Sequence, residues 1–517
     1  MEKRLDILMK IVYTVNEIYK YGELYMKKTI ITLLLAAMML STLAACGDSG
    51  AADNTDAGNT AAETQTADPA KETTALEARL AVQDELPDKD FGGRNFTVIG
   101  LEANAEHILT EEQTGEGVND AVFSRNLTVE ERYNAKVAFV DGGAHRDCAT
   151  LVANTITAGD SDAFDLVQFH VVSNSGNAMK GLYLNWYDVP YIDFEKPWWS
   201  DSNIEDLTIN NHNFLAMGDF ALTTISGTYC MFYDKDEAVN YQIEDLYEVV
   251  KDGRWTLDYL GELCETVYTD KNGDGEPNDG DYFGMASDQQ SNFNTYLWAG
   301  DNKIFSRNSE GELEYTYYSE HLIDLYNKCY DLLNYNAGVF TKMDHNSGTI
   351  KFTEYGTLTC NALLGQAVTF LADFENEYGI IPYPKYDENQ KDYMSMVDGS
   401  HEAMAVGKAA ADLEFIGIMT EVLCAESYKQ VVPAYYDVCL KQRYASSEKD
   451  AEMIDLCVDA RVFDLGYVYD NWNGVAFFFQ ELLRDTNKQD ISSYYAKKET
   501  AAVGYYDKVI ALFEDAE

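Results

Sequence analysis

Basic residues are scarce in this sequence. Lys and Arg total 38 against 88 Asp and Glu, which gives a net charge of −50 over 517 residues. A surface this acidic repels nucleic-acid phosphates and anionic lipid headgroups, so it argues against nucleic-acid binding and against electrostatic binding to membranes. The composition is still 46% hydrophobic and 13% aromatic, which supplies a core and argues against a disordered chain.

Motifs for several kinds of chemistry are also missing. The sequence has no P-loop GxxxxGK[ST], no GxSxG nucleophile elbow and no HExxH. Nucleotide hydrolysis, esterase chemistry and zinc proteolysis therefore have no support. No CxxC pair or Cys/His cluster suggests zinc, and the seven histidines are scattered along the chain.

Cysteine is present without a recognisable disulfide framework. Eight cysteines in an exported protein could form four disulfides, but their spacing shows no regular pattern and a chain of this length does not need such links. Buried free thiols are the alternative, and the sequence leaves both open. The eight are Cys148, Cys230, Cys264, Cys329, Cys360, Cys424, Cys439 and Cys457.

The amino-terminal segment is typical of an export signal. From Met26, two lysines precede an apolar run over residues 29–43, too short and wrongly flanked for a membrane-spanning helix of the folded protein. The run leads into Leu-Ala-Ala-Cys46, which resembles a bacterial lipobox and implies diacylation of Cys46; a plain signal cut just before it is the alternative. We predict a leader over 1–45, with the true start at Met26 and the signal peptide over 26–45.

We predict that residues 46–89 form a flexible tether. As far as about residue 74 they are rich in Ala, Thr, Asp and Gly and lack aromatic and β-branched aliphatic residues. Such a segment buries too little apolar surface to offset its chain entropy. The lipid anchor and the tether together would hold the folded part, residues 90–517, at the outer face of the cell membrane. We expect the protein to be a monomer.

Strand-like and helix-like stretches alternate along the folded part. This spacing is typical of βαβ units and of a parallel sheet, so the predicted fold class is α/β. A helical middle followed by late strands indicates two lobes that the chain crosses more than once. Strands are predicted over residues 95–99, 136–140, 165–169, 213–217, 229–233, 379–384 and 402–406, and helices over about 121–133, 148–158, 243–268, 317–334, 409–425, 448–463 and 475–484.

Several stretches of the folded part match a known pattern in their order. They are LPDKDFGGRNF over residues 86–96, DAFDLV over 162–167, GLYLN over 181–185, TYCMFYDK over 228–235, with Asp234 where Asn is usual, and LYEVVKDGRWTLD over 246–258. Together with the lipobox, this order resembles the extracellular solute-binding proteins of ABC importers, family 1 type, which take up carbohydrates. The resemblance covers nearly all of the folded part, and no piece is specific alone.

The resemblance implies a periplasmic-binding-protein-like fold, with two α/β lobes joined by a hinge and the ligand in the cleft between them. Lobe 1 would span about 90–225 and 375–432, and lobe 2 about 226–374 and 433–517. Closure around the ligand would present a surface to separate ABC permease subunits, with the ATPase on a further chain. The predicted function is capture of a neutral sugar or oligosaccharide without catalysis or an organic cofactor.

An acidic loop over residues 270–281 is the sharpest local motif. Its sequence, DKNGDGEPNDGD, matches D-x-N-x-D-G, with oxygen ligands at positions one, three and five and glycine at position six. Position seven offers a backbone carbonyl, and position twelve is Asp where a bidentate Glu is usual. A structural Ca²⁺ site is one interpretation, and an Asp/Gly turn without metal is the other. The predicted ligands are Asp270, Asn272, Asp274, Glu276 and Asp281.

Aromatic and planar polar residues at a few positions are the predicted ligand contacts. Sugars stack their C–H faces on aromatic rings, and their hydroxyl groups hydrogen-bond to planar polar side chains. The segment around Trp298 and the position of Trp472 resemble cleft segments of the family, and His170 follows a strand at an edge where α/β proteins gather ligands. Core packing is the alternative for each residue. The predicted set is Trp298, Tyr296, Trp472, His170, Asn361, Asp219 and Trp199, the last as one of an adjacent tryptophan pair.

Two other classes of function stay open. A surface glycoside hydrolase needs two carboxylates about 5–10 Å apart, and a chain with so many acidic residues does not exclude such a pair. A peptide-binding or sensory receptor is the other alternative. Permease genes beside this one would favour import, and turnover of a glycan would favour an enzyme.

Overall fold

A computed structural model describes the backbone of residues 75–440 and 448–514 and the side chains of 76–436 and 449–514. The predicted leader, the lipidation site Cys46 and most of the tether lie outside the described residues, so these remain predictions. Within the described ranges, no helix is both long enough and apolar enough to cross a membrane.

Short strands and helices alternate along the described chain. The strands span Arg94–Gly100 (β1), Ala135–Asp141 (β2), Leu166–His170 (β3), Tyr229–Asp234 (β4), Phe283–Asp288 (β5), Phe305–Arg307 (β6), Leu313–Tyr315 (β7), Val339–Lys342 (β8), Thr357–Leu363 (β9), Tyr378–Ile381 (β10), Ser395–Met396 (β11), Glu402–Ala405 (β12) and Arg461–Val462 (β13). The α-helices span Ala75–Ala81 (α1), Ala105–Ile108 (α2), Gly117–Tyr133 (α3), His145–Ala158 (α4), Val171–Ala178 (α5), Asp201–Leu207 (α6), Thr223–Ser226 (α7), Lys235–Asn240 (α8), Leu246–Lys251 (α9), Leu257–Val267 (α10), Ser291–Ala299 (α11), Glu320–Tyr335 (α12), Ser347–Thr353 (α13), Gln366–Thr369 (α14), Leu413–Glu426 (α15), Val432–Leu440 (α16), Glu448–Asp459 (α17), Leu465–Val468 (α18), Phe478–Arg484 (α19) and Ile491–Glu514 (α20). Short 3₁₀ turns at Glu102–Asn104 and Trp186–Asp188 and a π-turn at Ser427–Val431 complete the set.

The first sheet has the strand order β12-β3-β1-β2. Strands β1, β2 and β3 are parallel, and β12 joins antiparallel to β3. Along β1 the side chains alternate: Phe96 and Val98 share a core with Val129 of α3, whereas Ile99 shares one with Val152 of α4. This period of two brings apolar helices onto both faces of the sheet.

The second sheet has the strand order β10-β4-β9-β5-β8. Strand β5 runs parallel to both of its neighbours, whereas β4 is antiparallel to β9 and to β10. Every residue of β4 and β5 is buried, as in a sheet covered on both faces. Because β10 pairs here, the chain returns to the first sheet only at Glu402, and the predicted return near residue 375 is too early.

Two segments carry the chain between strands of the two sheets, and a third segment lies beside them. We call residues 218–228, 395–401 and 461–464 the crossing segments. Thr228 forms an isolated antiparallel bridge with Val397, and β11 pairs in parallel with β13. The two connections between the sheets therefore lie side by side, which suits a hinge.

Two predicted elements differ from the structure. Residues 213–217 form no strand; they are extended, with an isolated bridge from Ala216 to Met404. The single helix predicted over 243–268 is two helices, α9 and α10, because Gly253 adopts a positive φ of 73° between them. Glycine accepts this left-handed conformation without a Cβ penalty, and it ends the first helix there.

The described cysteine thiols are free and buried, so the free-thiol alternative holds for them. The side chain of Cys439 lies outside the described residues. The free thiols are those of Cys148, Cys230, Cys264, Cys329, Cys360, Cys424 and Cys457.

Candidate functional site

Three of the seven histidines meet at the carboxyl edge of the first sheet. His145 begins helix α4 soon after β2, and His170 is the last residue of β3. Glu402, the first residue of β12, pairs directly with His170, and His401 precedes it. Loops and helix starts at this edge are where open α/β sheets place their ligands.

A stacked histidine pair and a tryptophan form the accessible part of this edge. The rings of His145 and His170 stack with centroids 4.6 Å apart and planes inclined by 19°. The ring of Trp472 lies 6.3 Å from that of His145 and 6.5 Å from that of His170. Arg146 lies 5.3 Å from the Trp472 ring centroid. We call His145, His170, His401, Glu402 and Trp472 the edge site.

Trp472 is held in an unusual state. It is the only one of the six tryptophans that is exposed, at 49%, and its φ of 60° lies in the left-handed region. A bulky residue rarely adopts this conformation, which costs of order 1–3 kcal/mol and tends to occur at functional sites. The exposed aromatic face is therefore maintained by the surrounding structure.

The loop that carries Trp472 is anchored on the second lobe. Asp470 accepts a hydrogen bond from the Ala476 amide at 3.0 Å, and Asn294 of α11 donates to the Ala476 carbonyl at 2.8 Å. The same loop reaches the first lobe, where a Cβ on Gly176 of α5 would lie 3.5 Å from the Asn471 amide nitrogen. The edge site thus joins side chains from both lobes.

The carboxyl edge of the second sheet supplies a buried group of tyrosines. Tyr296 donates to Asn361 Oδ1 at 3.0 Å, and the rings of Tyr296 and Tyr383 are 5.1 Å apart. Tyr229 packs on Tyr383 at 6.2 Å and donates to Asp398 Oδ2 at 2.7 Å. Asp398 lies in a crossing segment, so this bond links the second sheet to the turn before the edge site.

The edge site is close to electrically neutral. Burial lowers the pKa of His170 to about 4, with a smaller contribution from His145, and burial lowers the pKa of His401 to about 4. Burial and Arg146 also lower the pKa of His145. Burial raises the pKa of Glu402 to about 7. Near neutral pH the three imidazoles therefore carry no charge, which suits an uncharged ligand.

Several buried polar atoms here have no protein partner. His170 Nδ1, His401 Nε2 and Glu402 Oε1 are buried without a hydrogen bond, and so is Asn361 Nδ2 at the second sheet. Burying such a group unpaired costs about 1–3 kcal/mol, so each is expected to bond water, a ligand or a proton.

The structure brings two of the predicted ligand residues together, His170 and Trp472. It places Trp298 in the core instead: the side chain is 1% exposed, and Nε1 donates to Asp464 Oδ2 at 2.9 Å. Tyr296 and Asn361 bond each other beneath the second sheet edge and are buried.

Trp199 and Asp219 lie elsewhere in the first lobe. Both members of the tryptophan pair are buried, and their indole nitrogens donate to the two oxygens of Glu421 at 2.8 and 3.0 Å. This shared carboxylate explains why Trp198 and Trp199 both face inward. Asp219 lies in the first crossing segment, where burial raises its pKa to about 7. Ligand contact by either residue is untested.

The acidic loop at residues 270–281 is closed by its own hydrogen bonds. Asp270 accepts from the amides of Gly273 and Gly275 at 2.6 and 2.9 Å, and Asp274 accepts from the Glu276 amide at 2.9 Å. Asn272 joins Asp274 at 2.9 Å, and Asp281 accepts from the Lys271 amide, the Asn278 amide and Tyr268.

The fit of this loop to a cation is poor as it is arranged. Among the described residues, no three His, Cys, Asp or Glu side chains converge in a way that could hold a metal ion. The oxygens that would ligate calcium serve loop amides instead, and the Asn272 amide nitrogen points at Asp274. A structural Ca²⁺ site stays a prediction.

One surface cavity lies away from the edge site. Its volume is about 610 Å³, and it runs between helices α10 and α12, with Asp258, Glu262, Lys328 and Tyr335 among its lining residues. No strand end contributes to it. Its size alone gives no reason to prefer it over the edge site.

Comparison with known proteins identifies the fold. No family model matches the sequence, and no curated protein matches it. Among solved structures, the galacto-N-biose-/lacto-N-biose I-binding protein of the ABC transporter from Bifidobacterium longum, in complex with lacto-N-biose, superposes with a TM-score of 0.53 at 14% identity, covering 82% of this chain and 98% of that one. This chain has the fold of an ABC-transporter solute-binding protein.

Two more solved structures show the same fold. The cyclic alpha-maltosyl-1,6-maltose binding protein from Arthrobacter globiformis gives a TM-score of 0.52 at 13% identity over 82% of this chain and 100% of that one. UgpB from Mycobacterium tuberculosis, in complex with glycerophosphocholine, gives a TM-score of 0.51 at 12% identity, covering 81% of this chain and 100% of that one. The predicted two-lobed α/β fold is confirmed, and identities this low carry the fold alone.

Sequence reasoning missed four members of this neighbourhood: His145, His401, Glu402 and Asp398. No short motif contains all four, since residue 145 and residues 398–402 are two separate segments that only the topology brings together. The available signal was positional, because His145 begins the helix that follows β2 and His401 directly precedes β12.

Proposed function

We propose that this protein captures a neutral sugar or oligosaccharide at the edge site and delivers it to the permease of an ABC transporter. The observation that carries the proposal is Trp472, an exposed aromatic face held in a strained conformation beside two uncharged histidines. A sugar ring presents C–H groups to such a face and hydroxyl groups to imidazole nitrogens.

The surroundings support a ligand that bridges the two lobes. Trp472 is anchored through the second lobe, whereas His145 and His170 belong to the first. A ligand that touches both would favour the closed arrangement by its differential affinity for the two states. Closure of this kind is the hinge behaviour of periplasmic-type binding proteins.

The exported, lipid-anchored state is part of the same proposal. It rests on the apolar run and the lipobox-like ending at Cys46, and on the Ala/Thr/Asp/Gly-rich stretch that follows it. Mass spectrometry of the membrane fraction tests it: a diacylglyceryl group on Cys46 supports the anchor, and an unmodified amino terminus near that residue contradicts it.

A thermal-shift screen tests ligand capture. The panel contains maltotetraose, lacto-N-biose, β-1,6-galactobiose and glycerophosphocholine. We expect stabilisation by at least one sugar, with the sugar recovered unchanged after prolonged incubation. Stabilisation by glycerophosphocholine alone would contradict a sugar ligand, and loss of the permease genes should abolish uptake of the sugar that binds.

A surface glycan hydrolase is the second candidate. The observation that favours it is Glu402, whose burial raises its pKa to about 7, as in a general acid. Against it, the Glu402 side chain is fully buried and bonded to Gln168 and Thr223. Product analysis in the same incubation separates the two, because cleavage of any panel sugar would support the enzyme.

A further inference from the structure

The carboxyl group of Glu402 lies where three parts of the chain meet. Oε2 accepts from Gln168 Nε2 of β3 at 3.2 Å and from Thr223 Oγ1 of α7 at 3.2 Å. The Glu402 amide returns a hydrogen bond to Thr223 Oγ1 at 2.9 Å. Thr223 belongs to the first crossing segment, so this side chain ties that segment to the edge of the first sheet.

The hydrogen bonds around Glu402 leave two acceptor oxygens without a donor. The Thr223 hydroxyl is fully used, as donor to Oε2 and acceptor from the Glu402 amide. Gln168 Nε2 serves Oε2, which leaves Gln168 Oε1 as an acceptor. Gln168 Oε1 and Glu402 Oε1 are both buried without a partner. Two acceptors gain a bond only if one of them carries a proton.

No positively charged group near Glu402 stabilises its ionised form. In the part of the chain that the structure describes, no Lys or Arg forms an ion pair with it, and the side-chain hydrogen bonds to its carboxyl come from the neutral groups of Gln168 and Thr223. Asn104 is near enough to lower the pKa of Glu402, but Oε1 has no hydrogen-bond partner. His170 lies opposite on β3 and His401 precedes it, and both imidazoles are uncharged at neutral pH. The remaining titratable neighbours, Cys148 of α4 and Asp398 of the second crossing segment, add no positive charge.

We propose that Glu402 is a neutral carboxylic acid whose Oε1–H donates to Gln168 Oε1, and that this acid–amide pair positions the first crossing segment for ligand binding. The amide and the acid then exchange two parallel hydrogen bonds, and every polar atom of the pair has a partner. Glu402 acts through Thr223 and Gln168 as a positioning residue rather than by contact with the ligand.

Ionisation would break this arrangement. The carboxylate would face the lone pairs of Gln168 Oε1, and a buried negative charge would lie beneath the uncharged histidines. This preference for the neutral form agrees with the pKa of Glu402, which burial raises to about 7. Ligand affinity should therefore be highest below neutral pH and fall as the pH rises above it. This part rests on the proposed function.

The first test needs no ligand. In infrared difference spectra of parent minus Glu402→Gln at pH 5.5, we expect the carbonyl band of one protonated carboxyl group. Because the folded protein keeps this proton between pH 4.5 and about 7, the parent should lose stability relative to Glu402→Gln as the pH rises from 5 to 9. Absence of the band, or parallel stability curves, overturns the pair.

A second variant guards against a folding defect in the first. Thr223→Val removes a donor that favours the charged carboxylate. The pH at the midpoint of the stability loss should therefore be higher in this variant than in the parent by a measurable fraction of a unit. A midpoint that does not move, or moves downward, contradicts the assignment of Glu402 as the titrating group.

The second test measures affinity for the panel sugars between pH 6 and pH 8.5. The sugar affinity of the parent should fall several-fold over this range, whereas Glu402→Gln should bind the sugar equally well at both pH values. Glu421→Gln is the matched control: burial also raises the Glu421 pKa to about 7, but its partners are Trp198 and Trp199 in the first-lobe core, so the parent's pH dependence should persist. A Glu402→Gln variant that keeps this dependence overturns the proposal. If no sugar binds, the proposed function fails while the first test still judges the pair.

Discussion

Replacing Trp298 by phenylalanine separates the two roles that its position allows. The structure buries this indole beside Tyr467 and uses its Nε1–H to bond Asp464. Asp464 also accepts from the backbone amides of Ile304, Phe305 and Gly466. Phenylalanine keeps most of the apolar contact and removes the donor together with part of the indole volume, so the pH-dependent part of the change probes the carboxylate.

The size of the expected destabilisation follows from the ionisation state of Asp464. A hydrogen bond to a charged group contributes about 1.5–3 kcal/mol, so Trp298→Phe should lower the free energy of unfolding by about 2 kcal/mol at pH 8. Burial already raises the pKa of Asp464 to about 6, and losing a donor raises it further. Below about pH 6 the folded parent and the folded variant both carry this proton, so the deficit should shrink as the pH falls from 8 towards 6.

Urea unfolding at pH 5 and pH 8, with calorimetry on the best panel sugar, measures both consequences. We expect the stability deficit to be larger at pH 8 by about 1 kcal/mol or more, and sugar affinity to stay within twofold of the parent. An unchanged stability together with a large loss of affinity would refute the core placement and restore Trp298 as a ligand contact.

Two further predictions concern the calcium-like loop and helix packing. If the loop binds calcium, adding Ca²⁺ should raise the Tm of the parent and leave the Asp270→Ala, Asp274→Ala double variant unchanged; no effect on the parent would remove the site. Gly417→Ala should destabilise by about 3 kcal/mol in chemical unfolding, because the new Cβ would lie 1.8 Å from the Pro190 carbonyl oxygen. Gly504→Ala is its control: the added Cβ meets no atom within 4 Å, so this helical change should stabilise by about 0.5–1 kcal/mol, and equal effects at both positions would contradict the packing.

The strands of the first sheet could be predicted because they are short apolar runs bounded by turns. Most of the second sheet could not: β5 and β9 contain Gly, Ser, Thr and Asn, and their burial comes from the helices that cover them. Gly284 in β5 shows the constraint, since a Cβ there would lie 2.3 Å from the Cα of Cys264. Helix α20 was missed because its sequence mixes Ser, Thr, Gly and β-branched residues without a clear apolar stripe.

The candidate site was predictable only in part, for a different reason. Aromatic content identified the residue type, but five of the six tryptophans are buried and sequence gives no burial. His170 could be inferred from its place after a strand, whereas His145 and His401 join it only through the order β12-β3-β1-β2. Pairing of β12 beside β3 is a long-range contact, and no local pattern encodes it.

Calorimetry of the parent and Trp472→Ala against the best panel sugar tests the central claim most directly. Tyr335→Ala is the matched control, since that ring is 66% exposed on α12, outside the edge site. We predict one saturable site in the parent, affinity weakened roughly tenfold or more by Trp472→Ala, which corresponds to about 1.4 kcal/mol, and parent-like affinity in the control. Undiminished affinity in Trp472→Ala, with the same Tm as the parent, would contradict capture at the edge site.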